Sequence, residues 1–308
     1  MTLALLLSGQ GGQHPGMFDL TADHPDAQAI FAAAKLLLGG VDPRDIARSG
    51  SDALHENRTG QILCCVAALA AWRALGAAGT VRTIVAGYSI GDLAAWGIAG
   101  RFEPQDVLAL AARRAEAMDA ASGAGFGLAG IRGLGLPALE HLAAEHGCHL
   151  AIRNAADSGV VGGARNALEL LCDAARARGA QRALVLPVHT PSHTPLLAAA
   201  TETFREALRL TTSRRPPPDA PRLLSGLDGT VVFRSEDGLA KLATQLSHSI
   251  DWAACLEACC EYGADHVLEL GPGHALATMA RSALPDARVH ALEEFRTIEG
   301  VRDWLNRQ

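Results

Sequence analysis

A chain of 308 residues, 49% hydrophobic and 19% charged, can bury a large core, while its longest apolar runs are far too short to span a membrane. A formal net charge of −6 argues against nucleic acid as a partner. Seven cysteines in no regular spacing fit reduced thiols in the cytoplasm rather than a disulfide framework or a metal centre; Cys64-Cys65 and the set Cys255, Cys259 and Cys260 fall in apolar helical patterns, which predicts small buried hydrophobes.

Leu3–Leu7 is apolar but short, has no basic stretch before it and runs into a Gly-rich turn, so it reads as a first strand rather than a signal peptide. The loop Ser8–Met17 carries glycines at 9, 11, 12 and 16, which let backbone approach a ligand, and amides at Gln10 and Gln13. It lacks the Lys-Ser/Thr ending of a P-loop and the glycine spacing of a dinucleotide site. Helical patterns follow over about 24–38 and 60–77.

Thr83–Ala86 reads as a buried strand and Asp92–Ala99 as a helix with small residues toward the sheet. Between them stands Gly87-Tyr88-Ser89-Ile90-Gly91. Strand, sharp turn and helix is the setting that makes Gly-x-Ser-x-Gly a nucleophile elbow. The glycines relieve crowding beside the serine, and the helix N-terminus offers donors to a developing oxyanion.

Pro104 opens a helix to about Ala120. At 100° per residue Arg114 falls on the stripe of Val107, Leu110, Ala111 and Met118, whereas Arg113 shares a face with Asp106 and Glu116. A guanidinium on an apolar stripe needs an anionic partner. That partner is either a carboxylate inside the core or one brought by a ligand.

From 126 to 186 the pattern becomes strand (126–132), helix (137–146), strand (148–153), strand (159–163), helix (165–178) and strand (182–186). This β-α-β-β-α-β order is the ferredoxin-like unit, and Gly123, Gly125 and Pro187 mark its borders. The expected organisation is α/β, with a small domain of 126–186 inserted into a large domain of 1–125 and 187–308 and a cleft at the junction. His189 and His193 then stand among prolines on a constrained turn, a setting that suits a positioned base, before a helix to about Leu210. Arg214–Pro218 is a stiff connector. Leu223-Leu224 and Val231–Phe233 read as late strands, 238–247 and 252–262 as helices on either side of Ser249-Ile250-Asp251-Trp252, and His266–Leu270 as a strand ending in Gly271-Pro272-Gly273 before a helix from His274.

Together, Gly9-Gln10-Gly11-Gly12-Gln13, Gly87–Asp92, Arg114 placed 25 residues beyond Ser89, Pro191-Ser192-His193 and Leu270–Gly273 resemble the malonyl-CoA:acyl carrier protein transacylases, in that family's order and over nearly the whole chain. The resemblance implies an α/β-hydrolase-like catalytic domain with a ferredoxin-like insertion, in agreement with the element order above. It also implies that Ser89 attacks a malonyl thioester while His193 takes its proton and later serves the incoming thiol. N–H groups of Ile90 and Gln10 would hold the oxyanion, and Arg114 would pair with the free malonyl carboxylate. The substrate is then malonyl-CoA and the partner an acyl carrier protein with a phosphopantetheine-type arm; no bound cofactor and no metal are implied. Asn154 either lines the cleft or serves a strand end, and His189 and His274 read as structural. Arg176, Arg178, Arg182, Arg205 and Arg209 are candidates for docking an acidic carrier.

Several positions depart from the family pattern. Tyr88 stands where fatty-acid-synthesis members usually have His, Asp92 where they have Glu, and Ser8 where Pro is common. Asp251 stands where many relatives carry a Gln whose backbone carbonyl orients the histidine, and either its carbonyl or its carboxylate would have that task here. The stretch Gly87–Gly100, with Tyr88, Asp92 and Trp96, looks more like the transacylase (epsilon) subunit of malonate decarboxylase. Charging that enzyme's carrier subunit is the leading expectation, and fatty-acid or polyketide synthesis the alternative. A serine hydrolase would share the elbow, but its acid usually falls between serine and histidine, and neutral acyl groups give Arg114 no task. A scaffold subunit would need neither elbow nor positioned histidine.

Overall fold

Leu3–Leu7 offers an apolar side chain to both sides of the pleat, as strands buried on both faces of a parallel sheet do. In the computed structural model, which describes residues 1–76 and 82–306, this run is the centre of the first of two five-stranded sheets. The strands in chain order are β1 (Thr2–Leu7), β2 (Arg82–Gly87), β3 (Phe126–Arg132), β4 (His149–Ala155), β5 (Ser158–Ala164), β6 (Arg182–Val185), β7 (Arg222–Leu223), β8 (Ile250–Asp251), β9 (His266–Leu270) and β10 (Arg288–Ala291). With 12 α-helices among the described residues, the fold is α/β.

The first sheet has the order β10-β9-β1-β2-β7 with every pairing parallel. Leu3, Leu5 and Leu7 pack in one core with the helices Gln28–Leu37, Asn57–Leu75, Ile90–Ile98 and Pro104–Ser122. Ala4 and Leu6 belong to a second core with the helices Trp252–Glu261 and Ala275–Ala283.

The second sheet has the order β6-β3-β5-β4-β8. β3 pairs antiparallel with β5 and β6, and β5 antiparallel with β4. Ala129, Ile131 and Val161 pack on the helices Leu136–Glu145 and Arg165–Ala177, while Leu128, Ile152 and Val160 join the second core of the first sheet. Four strands come from 126–185. The fifth, β8, comes from much later in the chain and adds parallel to β4, with Ile152 opposite Ile250 and Arg153 opposite Asp251.

Two expectations need correction. Val231–Phe233 is not a strand: Val231 makes a single bridge to Leu224, and Phe233 is exposed. Cys260 is exposed while Cys255 and Cys259 are buried, because neighbours on a helix stand 100° apart and cannot share one buried stripe. Between the 24–38 and 60–77 patterns, where the sequence was assigned no element, lies the helix Pro43–Ser49, which Asp42 caps by accepting from Arg44 N at 2.9 Å and Gly50 ends at φ +60°. The 60–77 pattern corresponds to the helix Asn57–Leu75; residue 77 lies outside the described residues. No helix among the described residues is long and apolar enough to cross a membrane.

Candidate active site

β1, β2 and β9 end level with one another, since Leu7 pairs with both Gly87 and Leu270. Open parallel sheets gather ligands at these carboxyl ends. Three loops leave from there, and close backbone packing joins them. A Cβ on Gly12 would collide with the Pro272 carbonyl, and one on Gly271 (φ +126°) would lie 2.9 Å from Ser8 Oγ. Ser8 Oγ donates to the buried carboxylate of Glu269 at 2.7 Å. Burial pushes that carboxyl up to about 6, against the hydrogen bonds from Ala277 N and Ser8.

Among the described residues, two non-glycine residues have positive φ: Ser89 at +57° and His193 at +63°. Each costs of order 1–3 kcal/mol and persists only where its surroundings hold it. At Ser89 (ψ −116°) the flanking glycines make room, because a Cβ on Gly87 would overlap Asp92 N and one on Gly91 would overlap the Leu7 carbonyl. The turn engages Gly91 N with Tyr88 O (3.0 Å) and Asp92 N with Ser89 O (3.1 Å). Ile90, between them, opens the helix, where the first N–H groups have no acceptor within the helix. The first loop lies against the same turn: a Cβ on Gly9 would stand 2.9 Å from Tyr88 O and 3.6 Å from Ser89 Cβ. Gln10 follows directly, its side-chain amide donating to Asn57 O at 3.4 Å.

His193 is 1% exposed, and its own N–H donates to Leu246 O at 2.9 Å. Its Nδ1 lies 2.5 Å from the backbone carbonyl of Gln245 and its Nε2 2.8 Å from Ser89 Oγ. A carbonyl can only accept, so Nδ1 carries the proton and Nε2 accepts from the serine hydroxyl. Burial, reinforced by the Arg114 charge, lowers the imidazole pKa to about 3 against the opposing carbonyl bond. The ring is therefore a neutral base at physiological pH.

Asp251 does not orient this histidine. Its carboxylate caps the helix Trp252–Glu261, accepting from Ala254 N at 3.0 Å, and its N–H donates to Leu227 O. The orienting carbonyl belongs to Gln245, six positions earlier. Asn154 reaches the elbow through Tyr88, whose hydroxyl donates to Asn154 Oδ1 at 3.1 Å, linking the second sheet to the residue before Ser89. The Tyr88 ring also packs edge-on against Trp252 at 5.3 Å.

Arg114 is 1% exposed, while Arg113 is exposed. Its guanidinium donates to Gln61 Oε1 at 2.7 Å and lies 3.3 Å from Met118 Sδ and 3.4 Å from Ser89 Oγ. From Gln61 a chain of amides continues, Gln61 Nε2 to Asn57 Oδ1 and Asn57 Nδ2 to Asp119 Oδ1, each at 2.7 Å. Among the described residues no carboxylate lies within ion-pair distance of Arg114. Burial lowers its pKa to about 10, opposed by its electrostatic interaction with the Cys65 and Asp92 side chains, so it stays cationic. Of the two partners the sequence left open, the carboxylate inside the core is absent among the described residues: the Gln61 amide, Met118 Sδ and Ser89 Oγ surround this cation.

The residues brought together are Ser89, His193, Arg114, Ile90 at the start of its helix and Gln10 in the first loop, with Asn154 reaching in through Tyr88. Gln61 and Gln245 were missed. Gln61 had a signal, one amide within the buried and otherwise apolar run 60–71; Gln245 had none, since it acts through its backbone. His189 is exposed, and His274 occupies the N-cap position of the helix Ala275–Ala283. Of the five docking arginines, Arg176, Arg178, Arg205 and Arg209 are each paired with Asp or Glu, which leaves little free charge there.

A serine beside a neutral, carbonyl-oriented imidazole can attack a carbonyl carbon, and the adjacent buried cation suits an anionic group on the same substrate. The acyl transferase domain model matches residues 5–280. The malonyl CoA-acyl carrier protein transacylase of Escherichia coli strain K12 is 29% identical over 302 residues, covering 94% of this chain and 96% of that protein. That of Mycobacterium bovis is 31% identical over 301 residues with the same coverage. The crystal structure of the acyl-carrier-protein S-malonyltransferase from Burkholderia pseudomallei superposes with a TM-score of 0.89 at 29% identity, covering 98% of this chain and all of that one. The chain belongs to the acyl transferase domain family.

Proposed function

We infer that this enzyme moves a malonyl group from malonyl-CoA to the thiol on the phosphopantetheine arm of an acyl carrier protein. One observation carries the choice of acyl group. Arg114 holds a buried positive charge 3.4 Å from Ser89 Oγ, with the Gln61 amide as its acceptor and, among the described residues, no carboxylate within ion-pair distance. A substrate whose acyl chain ends in a carboxylate supplies the missing counter-charge, and a neutral acyl chain does not.

Ser89 Oγ attacks the thioester carbonyl carbon as its proton passes to His193 Nε2. The C–S bond breaks, and coenzyme A leaves as the thiol with that proton. The carrier thiol then gives its proton to Nε2, attacks the malonyl-serine ester and releases Ser89 with its hydrogen restored. The Gln245 carbonyl keeps Nδ1 protonated and the ring aimed throughout. The Ile90 and Gln10 N–H groups take the oxyanion, where removing one such donor costs about 3–4 kcal/mol.

Relatives that carry the transacylase name along almost their whole length favour a place in fatty-acid or polyketide synthesis. The malonate decarboxylase reading rests only on the likeness of the stretch Gly87–Gly100, with Tyr88, Asp92 and Trp96, and stands second. We read the architecture as an α/β-hydrolase-like domain, 1–125 and 187–308, carrying a ferredoxin-like insertion, 126–186. The strand order β6-β3-β5-β4 supports that reading.

Brief incubation with malonyl-CoA followed by intact-mass measurement tests the proposal. The parent enzyme gains one malonyl mass and Ser89→Ala gains none. An adduct that persists in Ser89→Ala removes the serine from this role.

A further inference from the structure

Asp92 is fully buried and takes no direct part in the steps above. Its Oδ2 accepts from Gln245 Nε2 at 2.8 Å and from Gly226 N at 3.1 Å, while its Oδ1 has no partner. The Gly226 backbone comes this close because it carries no side chain: a Cβ there would lie 2.9 Å from Asp92 Oδ2 and overlap the Gly87 carbonyl. Gln245 is the residue whose carbonyl orients His193. Asp92 itself stands one turn after Ser89, its N–H donating to the Ser89 carbonyl at 3.1 Å. The four contacts close a ring: Ser89 Oγ to His193 Nε2, His193 Nδ1 to the Gln245 carbonyl, Gln245 Nε2 to Asp92 Oδ2, and Asp92 N to the Ser89 carbonyl.

We propose that Asp92 is a positioning residue for the acyl transfer, fixing the distance and angle between nucleophile and base by anchoring the residue whose carbonyl aims His193. The proposal rests on the Ser89–His193 reading. A burial cost this large is otherwise unexplained, since Asp92 has no ion pair among the described residues and one of its oxygens is left bare. Both Ser89 and His193 sit at strained φ, so each relaxes to a commoner conformation once its tether is cut. The anchor reaches Gln245 through its side chain while the catalytic contact uses its backbone, which makes the two separable by mutation.

The test is single-turnover formation of the malonyl-enzyme at saturating malonyl-CoA, with the apparent Kd for malonyl-CoA read from the same titration. Asp92→Ala lowers the acylation rate about 30- to 100-fold, the scale of a misplacement near 1 Å, and moves the apparent Kd by about twofold at most. Asp92→Asn keeps a carbonyl oxygen for both donors and recovers the rate to within about fivefold of the parent. Gln245→Leu keeps the backbone carbonyl, loses the tether and falls as far as Asp92→Ala; the double variant falls no further than either, because both cut the same tether. An Asp92→Ala rate within about threefold of the parent, or single effects that multiply in the double variant, overturns the proposal. Should Asp92→Ala not fold, Gln245→Leu alone and combined with Asp92→Asn decides by the same criteria. A parent enzyme that forms no adduct refutes acyl transfer itself; a parent that forms it beside unaffected variants refutes only the role of Asp92.

Discussion

Replacing Arg114 by alanine separates the malonyl reading from every reading in which this cation is structural. The malonyl carboxylate would make two charge-assisted hydrogen bonds to the guanidinium, each worth about 1.5–3 kcal/mol, or about 3–6 kcal/mol together. At about 1.4 kcal/mol per tenfold, kcat/KM for malonyl-CoA falls about 10²- to 10⁴-fold. Acetyl-CoA has no carboxylate to lose and falls less than about tenfold, so the preference narrows by at least one order of magnitude. Stability moves little. The Gln61 Oε1 atom, 2.7 Å from the guanidinium, is left without its donor at about 1–3 kcal/mol, while the desolvation of an unpaired buried charge is relieved. Both acyl-CoAs are measured by single-turnover acylation on the same preparation, with a melting curve alongside. Equal losses on the two substrates, or a melting temperature that collapses while the residual preference stays intact, would refute acyl selection by Arg114.

The pH dependence follows from His193. A folded pKa near 3 lies below the ordinary histidine value of about 6.5, so the folded enzyme keeps the base neutral where an exposed imidazole would be protonated, and acylation kcat/KM stays flat within about twofold between pH 6.5 and pH 5. Asp92→Asn is run alongside, because burial raises the Asp92 carboxyl to about 7 and its titration overlaps that range; a fall centred near 6.5 in both enzymes contradicts a neutral His193. Gln61→Leu strips Arg114 of its 2.7 Å acceptor in a fully buried site, which costs about 1–3 kcal/mol and lowers the melting temperature by about 2–4 °C per kcal/mol. KM for malonyl-CoA rises more than kcat falls in that variant, and an unchanged KM would detach Gln61 from the carboxylate site.

What could be read from sequence was whatever leaves a steric or periodic mark. The elbow is legible because a serine at φ +57° with ψ −116° tolerates no Cβ on Gly87 or Gly91, and the residues that satisfy that constraint are visible in the string. Arg114 is legible because helical periodicity separates it from Arg113 with no knowledge of what packs against either. The segment 126–185 is legible because its elements are short, alternate cleanly and are bounded by glycine and proline.

The misplaced assignment at Asp251 has a different physical origin. Every residue carries a backbone carbonyl, so the one that aims His193 leaves no side-chain signature, and only the relative placement of two segments about 50 residues apart selects Gln245. The actual role of Asp251 was local and readable, a carboxylate accepting from the N–H three residues into a helix. β8 was missed for a related reason, since two residues supply no period and their strand character comes wholly from pairing with β4. Asp92 lies between these cases. Its position beside the elbow was evident, but its partner is 153 residues away, and a buried carboxylate cannot be told from an exposed one until that partner is placed. The proposed catalytic groups are therefore written in local sequence, whereas the contacts that aim them arise from tertiary packing, and it is the second set that the Asp92 and Gln245 variants test.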